Sequence, residues 1–275
     1  MIEDLFFLEK QTYKKSLIHD LDARVKIIVA FAAIVAVVAV PYSPLVFPVS
    51  LVFLLFLLLL WALSRLSPLV YLQRLAVILP FGLFIILIQI FVQNPYYEVF
   101  TPVLDLPLGI HAYAESIEFA CILLLKFLVS VSFIILLSST TRMQDLLEGA
   151  GRLGLPAEFT LTLGMMIRYL FVFGYMYRKI NESLATRCFQ ASDSRLPYRY
   201  RLRTLAFTIG TLFVRSYEQG ERTYLAMLCR GYGRESHLYI RKKPLFRSDR
   251  IFLAGGLSVV IATPVLAFLL SHRPF

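Results

Sequence analysis

The sequence predicts an all-α, polytopic membrane protein with about five transmembrane helices and a cytosolic block of amphipathic helices, and three observations carry that prediction. Composition is the first: 58% of the 275 residues are hydrophobic and 17% are charged, and the apolar residues come in unbroken runs. The second is where the basic residues fall. Of 28 lysines and arginines, nineteen lie between residues 141 and 250, whereas the loops 41–44 and 93–115 hold none. The third is a change of pattern after Ser139, where long apolar runs give way to shorter segments punctuated by glycine and proline.

Five runs read as spans: 25–40, 45–63, 75–92, 116–138 and 251–270. The first is short for a hydrocarbon core of about 30 Å and must draw on its flanks. Basic residues are retained on the cytoplasmic side of a membrane. Lys10, Lys14, Lys15, Arg24 and Lys26 stand at the start of the first span, and Arg65 and Arg74 follow the second. The N-terminus is therefore expected in the cytosol and the C-terminus outside, in a multi-pass protein of the cell (plasma) membrane. Four segments result: an N-terminal arm at 1–24, four spans at 25–140, a cytosolic block at 141–250, and a last span with its tail at 251–275. The arm is charged and has no apolar core, so no signal peptide is expected.

In chain order, HDLDARVK (19–26) places acids before bases where the first helix enters the membrane. Asp20 or Asp22 would cap that helix, and Arg24 and Lys26 would stay at the headgroups. The prolines of PYSP (41–44) turn the chain back. The third span holds Pro80, Gly82 and Gln89, and Gln89 needs a hydrogen-bond partner in lipid, as a helix-contact residue would. The external segment 94–111 reads as an ordered loop. His111 and Glu115, four residues apart, lack the third and fourth ligands of a metal site, so no metal centre is predicted. Lys126 falls near mid-membrane, where a charge costs roughly 2.5 to 3.5 kcal/mol, so it should face protein or water, and a helix-packing pair with an acidic or carbonyl partner is expected ahead of a role in a substrate path.

Beyond the fourth span, Thr141-Arg142-Met143-Gln144 fits a capping box. A short helix then leads to the series Gly149, Gly151, Gly154, Pro156, and a second helix starts near Pro156. Its segment 159–177 is apolar enough for a span and 205–214 for half of one. Crossing there would carry Arg178, Lys179, Arg187 and the arginines up to Arg203 outside the cell, so both are assigned to the cytosol or to shallow embedding. Five of the six methionines lie between residues 143 and 227. They suit surfaces that repack, although at least half are expected as core filler. Cys121, Cys188 and Cys229 fit no paired spacing and are expected as free thiols.

The stretch ERTYLAMLCRGYGR (221–234) is the most informative. On a helix, Arg222, Ala226, Cys229 and Arg230 share one face, and Tyr224, Leu225 and Leu228 the opposite one. Ala226 and Cys229 are small enough to admit a partner backbone beside Arg230, whose guanidinium offers five donors in a rigid fork. Gly231 and Gly233 supply a helix stop, and the negative end of the helix dipole favours an arginine in the last turn. ESLATRCFQA (182–191) is a weaker echo of the same stretch. One arginine at a helix end is commonly a solvated charge; two in matching places point to docking.

These residues resemble a family, the transmembrane T component of energy-coupling factor transporters, in its cobalt-transport CbiQ type. LDARVK (21–26), TTRMQDLLEGAGRLGLP (140–156), MMIRYLFVF (165–173) and VRSYEQGERTYLAMLCRGYG (214–233) carry the resemblance. In that family two short Ala-Arg-Gly motifs on cytosolic coupling helices dock into grooves on a pair of ATP-binding cassette ATPase subunits. Carried over, the motifs are Thr186-Arg187-Cys188 and Cys229-Arg230-Gly231, with Arg222 and Ala226 as the supporting coupling face. The first lacks the glycine and has Cys188 in its place, so nothing in the motif requires its helix to stop there. The resemblance implies a scaffold that holds a membrane-embedded substrate-binding S component and receives ATP-driven movement, for cobalt or nickel uptake.

No catalytic residue, cofactor or nucleic-acid partner is expected, and with no phosphate-binding loop in the chain ATP hydrolysis would belong to partner subunits. A vitamin-importing module of the same kind is the alternative within the class. A membrane-embedded enzyme acting on lipid is the alternative outside it, but His19 with Asp20 and Asp22, or His111 with Glu115, are sparse for that chemistry. A secondary carrier would show a repeated pair of broken helices, and none is seen.

Overall fold

Asp22 sets the start of the first helix. Its backbone is extended, with φ −61° and ψ 134°, and its carboxylate accepts the Arg24 N–H at 3.1 Å, so α1 runs Ala23–Ala39. The computed structural model describes residues 16, 18–42, 46–89, 102–106, 110–190, 196–233 and 244–271. Among these, α1 is followed by α2 (Val46–Ser64), α3 (Pro68–Gln89), β1 (Pro102–Leu106), β2 (Ile110–Tyr113), α4 (Ala114–Thr140), α5 (Met143–Arg152), α6 (Ala157–Thr186), α7 (Tyr198–Cys229) and α8 (Arg247–Ser271). The chain forms two units: Glu3–Leu153 together with Lys243–Phe275, and Gly154–Lys242.

The fold is that of an all-α, multi-pass membrane protein. Among the described residues five helices are long and apolar enough to cross a bilayer: α2, α3, α4 from Glu115, α6, and Arg247–Val265 of α8. One member differs from the predicted set. With 17 residues, α1 rises only about 25 Å, short of the hydrocarbon thickness. By contrast α6, assigned to the cytosol from its charges, has 30 residues and the apolarity to span.

Within the first unit α1 is the inner helix. Val25, Val29, Ala33 and Val37 repeat every four residues and are buried. Their small or β-branched side chains let α4, α5 and α8 approach closely. Opposite Val29, Gly256 of α8 leaves no room for a Cβ, which would lie 2.9 Å from Val29 Cγ2. α4 adds Ile122, Val129, Phe133 and Leu136 to the same core, with Phe133 edge-on to Phe53 of α2 at a ring separation of 6.3 Å.

α3 packs on α4 through a Tyr71 Oη to Ser132 Oγ hydrogen bond of 2.7 Å and through Gly82. A Cβ on Gly82 would sit 2.3 Å from the Phe127 ring. Gly82→Ala should therefore force the two helices apart and cost about 1–3 kcal/mol. The check is a lowered thermal unfolding midpoint in detergent; an unchanged midpoint would refute this crossing.

Two lysines join α1 and α4 reciprocally. Near the start of α1, Lys26 Nζ donates to the Thr140 carbonyl that ends α4 and to the His19 carbonyl, each at 3.1 Å. Lys126 of α4 donates to the Val38 and Val40 carbonyls at the end of α1, at 3.2 and 2.5 Å, and lies 4.2 Å from the centre of the Tyr42 ring. Each ammonium thus satisfies carbonyls at the carboxyl end of the other helix, Thr140 for Lys26 and Val38 and Val40 for Lys126, and sits at a negative dipole end, while Lys26 also holds the His19 carbonyl ahead of α1. The partner expected for Lys126 is a carbonyl pair. The shortness of α1 also has its account: the helix stops alongside Lys126, and Tyr42 continues along α4 against Phe119, with ring centroids 4.8 Å apart.

A buried ionic cluster closes the end of the unit where α1 and α8 begin. Asp22 and Asp249 are 8% and 3% exposed. Asp249 Oδ1 accepts the Asp22 N–H at 3.0 Å and its Oδ2 accepts the Phe246 N–H at 2.9 Å. Arg24 donates to both Asp22 oxygens, at 3.2 and 3.0 Å, and Arg152 of α5 lies 3.7 Å from Asp22 Oδ2 while also pairing with Glu148. Burial alone would raise the Asp22 pKa. The Arg24 hydrogen bonds and the charges of Arg24 and Arg152 outweigh it and hold the carboxyl below the usual carboxylate range.

Two local expectations are corrected. Thr141 does not open a capping box: it is the buried residue that ends α4, its Oγ1 has no hydrogen-bond partner, and Arg142 occupies the N-cap of α5 without a side-chain bond. In the segment read as an external loop the described residues form an antiparallel hairpin that pairs Asp105 with His111. The rest of that loop, the side chain of His111, Ser43 and Pro44 of the turn, and the arm 1–15 lie outside the described residues.

Candidate functional site

The second unit presents the two arginine motifs, each at the carboxyl end of a long helix. Pro156 and Pro197 hold the N-cap positions of α6 and α7, with φ near −53° that suits a helix start. The helices then run 30 and 32 residues. The stretches read as separate coupling helices are the last turns of these two.

Both helices end by the same hydrogen-bonding pattern. At the first, Arg187 is the C-cap, the Cys188 N–H reaches the Ala185 carbonyl and the Phe189 N–H the Leu184 carbonyl, each at 3.0 Å. At the second, Arg230 is the C-cap, the Gly231 N–H reaches Leu228 at 2.9 Å and the Tyr232 N–H reaches Met227 at 3.0 Å. Each is a Schellman motif, whose turn requires the residue after the cap to be left-handed. Gly231 takes φ +80° and Cys188 takes φ +60°. The expectation that the first helix need not stop for want of glycine is therefore overturned: its backbone bonds impose the stop and Cys188 bears the strained angle. The arginines share one cap geometry, with φ −91° at both and ψ 17° and 9°.

This equivalence gives a direct expectation. Cys188→Gly should relieve left-handed strain of about 1–2 kcal/mol, offset in part by the entropy glycine gains when unfolded. Gly231→Val should cost at least that much, because a β-branched residue is poorly tolerated at positive φ. Unfolding midpoints of the two variants should move in opposite directions; movement in the same direction would contradict the shared geometry.

The side chains around the caps are open. Thr186, Arg187, Cys188, Ala226, Cys229, Arg230 and Gly231 are all exposed. Thr186 Oγ1 donates back to the Ser183 carbonyl at 2.8 Å. Arg222 pairs with Glu218 at 3.7 Å, both well exposed, an arrangement worth little in water. Phe189, 8% exposed, folds edge-on against Tyr200 in the first turn of α7 with centroids 6.0 Å apart. Arg187 is thereby placed near the start of α7 and Arg230 at its end, a separation of roughly 45 Å along the helix. No single small ligand could meet both. Farther along, Tyr169 of α6 hydrogen-bonds Thr223 of α7 and ties the second cap's last turns to α6.

The rest of the unit shows large apolar surfaces. Ile167 is the buried residue of α6 and Thr208 that of α7, while Phe159, Leu170, Phe207, Phe213 and Tyr224 are exposed. None of the five methionines after the first is buried, so core filling does not account for them. Cys121, Cys188 and Cys229 are free and exposed. Among the described residues no group of three or more His, Cys, Asp or Glu side chains is placed to hold a metal ion.

The cap residues were legible in the sequence; Phe189, Tyr169 and Thr223, which orient them, were not. An aromatic residue two places after a helix-ending arginine is the signal that identifies Phe189 and Tyr232 as the closing residues of the two motifs.

Over 269 residues the chain is 27% identical to the uncharacterized protein MJ1571 of Methanocaldococcus jannaschii, covering 97% of this chain and 87% of that protein. It is 28% identical over 123 residues to the uncharacterized protein MJ1089 of the same organism, covering 45% of this chain and 44% of that one. The CbiQ family, described as cobalt transport protein, matches residues 14–240, a stretch that includes both arginine caps and the helices that carry them. The chain belongs to the CbiQ family of cobalt transport proteins.

Proposed function

We propose that this protein is the transmembrane coupling subunit of an energy-coupling factor importer for cobalt or nickel, joining two ATP-binding cassette ATPase subunits to a membrane-embedded S component. The observation that carries this reading is the pair of exposed arginines held at identical helix caps roughly 45 Å apart along α7. Two equal, separated, pre-aimed cations suit two equal partners. A guanidinium fork binds a carboxylate bidentately, and in a groove that excludes water the bond is worth more than at an open surface.

The chain itself performs no chemistry on this reading. ATP hydrolysis lies in the partners, and metal selectivity lies in the S component. Residues 141–250 and the N-terminus face the cytosol, as the basic residues favour, and α6 and α7 form the coupling arm.

Affinity purification from the native membrane in mild detergent, with mass identification of the associated proteins, tests this. Two nucleotide-binding subunits and a small membrane partner should be recovered, and metal or vitamin binding by that partner decides the substrate class. A folded chain recovered alone would defeat the coupling role and reopen a lipid-acting enzyme.

A further inference from the structure

Trp61 in the last turn of α2 and Tyr71 in the first turn of α3 meet edge-on, with ring centroids 5.1 Å apart. Aromatic pairs of this kind mark the level of the lipid headgroups on spanning helices. Arg74 stands one turn along from Tyr71, immediately before the apolar run 75–88, and is half-buried where α3 packs on α4. Its Nη1 donates to Ser138 Oγ at 3.3 Å and to Ser139 Oγ at 2.8 Å, both in the last turn of α4. Its Nε is buried and has no hydrogen-bond partner. Among the described residues no carboxylate pairs with it.

Neutral hydroxyls therefore aim the guanidinium but leave its charge uncompensated, and a buried charged donor without a partner is costly. With Nη1 committed to the serines, the free edge of the fork is Nε–H beside Nη2. That edge grips an anionic oxygen pair by two parallel bonds. One turn farther along the same helix faces, Val77 of α3 and Ile134 of α4 are 71% and 51% exposed, and Phe81 beyond them is 77% exposed. The cation thus stands at the head of an uncovered apolar strip. A free phosphate would leave that strip bare, whereas a phospholipid supplies the anion and the covering chain together. Phosphate is also the anion that either leaflet places at this level.

We propose that the seam between α3 and α4 at Arg74 binds one anionic phospholipid, its phosphodiester on the guanidinium and an acyl chain along Val77, Ile134 and Phe81. The site lies wholly within the first unit, and it stands whether or not the coupling role does.

The test is native mass spectrometry of the full chain titrated with phosphatidylglycerol or phosphatidylcholine, joined to labelling by a phosphatidylglycerol with a photoreactive acyl chain. Phosphatidylcholine has the same phosphodiester but offsets its charge with a choline. The parent should bind one phosphatidylglycerol about tenfold more tightly than phosphatidylcholine. Labels should fall within 74–81 of α3 and 134–139 of α4. Arg74→Gln should abolish that preference, and Arg74→Lys, which keeps the charge without the fork, should recover part of it. Arg178→Gln removes an exposed arginine paired with Glu182 and should leave the preference intact. An equal loss in Arg178→Gln would assign the preference to net charge and overturn the site. So would labels falling elsewhere, or a preference below about threefold in the parent, two results that need no variant to fold. Labelling of the isolated chain that disappears in the native membrane would mean that a partner's carboxylate holds Arg74, and would overturn the lipid site as well.

Discussion

The variant carrying both Arg187→Ala and Arg230→Ala should lose ATP-driven uptake while remaining folded and inserted. The reason for the intact fold is local. The bonds that end α6 and α7 run between backbone groups, Cys188 to Ala185 and Phe189 to Leu184 in one, Gly231 to Leu228 and Tyr232 to Met227 in the other, and none involves the arginine side chain. Alanine at the cap gives up only a favourable dipole interaction of about 0.3–1 kcal/mol per exposed site. The loss falls instead on docking. Removing one partner of a charge pair buried at an interface costs about 2–5 kcal/mol, or roughly 30- to 5,000-fold in affinity. Two sites on one chain act bivalently, so each single variant should retain partial uptake through the remaining anchor and the double variant should retain almost none. Lysine at either site keeps the charge without the fork and should recover only part of the loss. Uptake and the amount of co-purified ATPase are the measurements, and unchanged uptake in the double variant would sink the role given to the caps.

What the sequence revealed and what it hid divide along the range of the interactions. The capping of α1 by an aspartate depends on a neighbour two residues away and was legible, with Asp20 and Asp22 both open until the structure selected Asp22. The helix start after Pro156 is likewise local. Cys188 was not legible as a left-handed residue, because cysteine has no preference for that region; two backbone bonds and the packing of Phe189 on Tyr200 decide the angle. For Lys126 the need for a partner could be read, but its identity depends on where α1 happens to stop. The bond between Asp22 and Asp249 joins residues 227 apart and has no local signature. At Thr141 the capping pattern was present, yet tertiary burial took the residue for the end of α4. The standing of α6 shows a different difficulty: its length and apolarity favour a span, while its flanking arginines favour the cytosol, and two physical rules conflict within one segment.

Lys126→Met should destabilise the membrane unit by about 2–4 kcal/mol, even though it deletes a buried charge from the middle of a span. Two effects oppose each other. A lysine forced into lipid costs roughly 2.5 to 3.5 kcal/mol, and methionine removes that cost. Much of the relief cancels, however, since before the helices pack the lysine stem can carry its ammonium toward the interface. In the folded unit the ammonium is bonded to the Val38 and Val40 carbonyls and covered by the Tyr42 ring. Methionine fills a similar volume but donates nothing, so two carbonyls lose their partner where water cannot replace it, at about 1–3 kcal/mol each. The orphaned carbonyls therefore outweigh the relieved charge. Lys26→Met removes the mirror-image cap from the Thr140 and His19 carbonyls, but at the end of the bundle, where water can rehydrate them, and should cost about 1–2 kcal/mol. The two lysines lie at opposite ends of α1, roughly 18 Å apart along its axis, so the double variant should lose the sum of the single losses within about 0.5 kcal/mol. Unfolding in mixed micelles by a denaturing detergent would measure all three. A Lys126→Met protein as stable as its parent would mean that the carbonyl end of α1 can satisfy itself, and that the lysine is kept at mid-span for a reason other than capping.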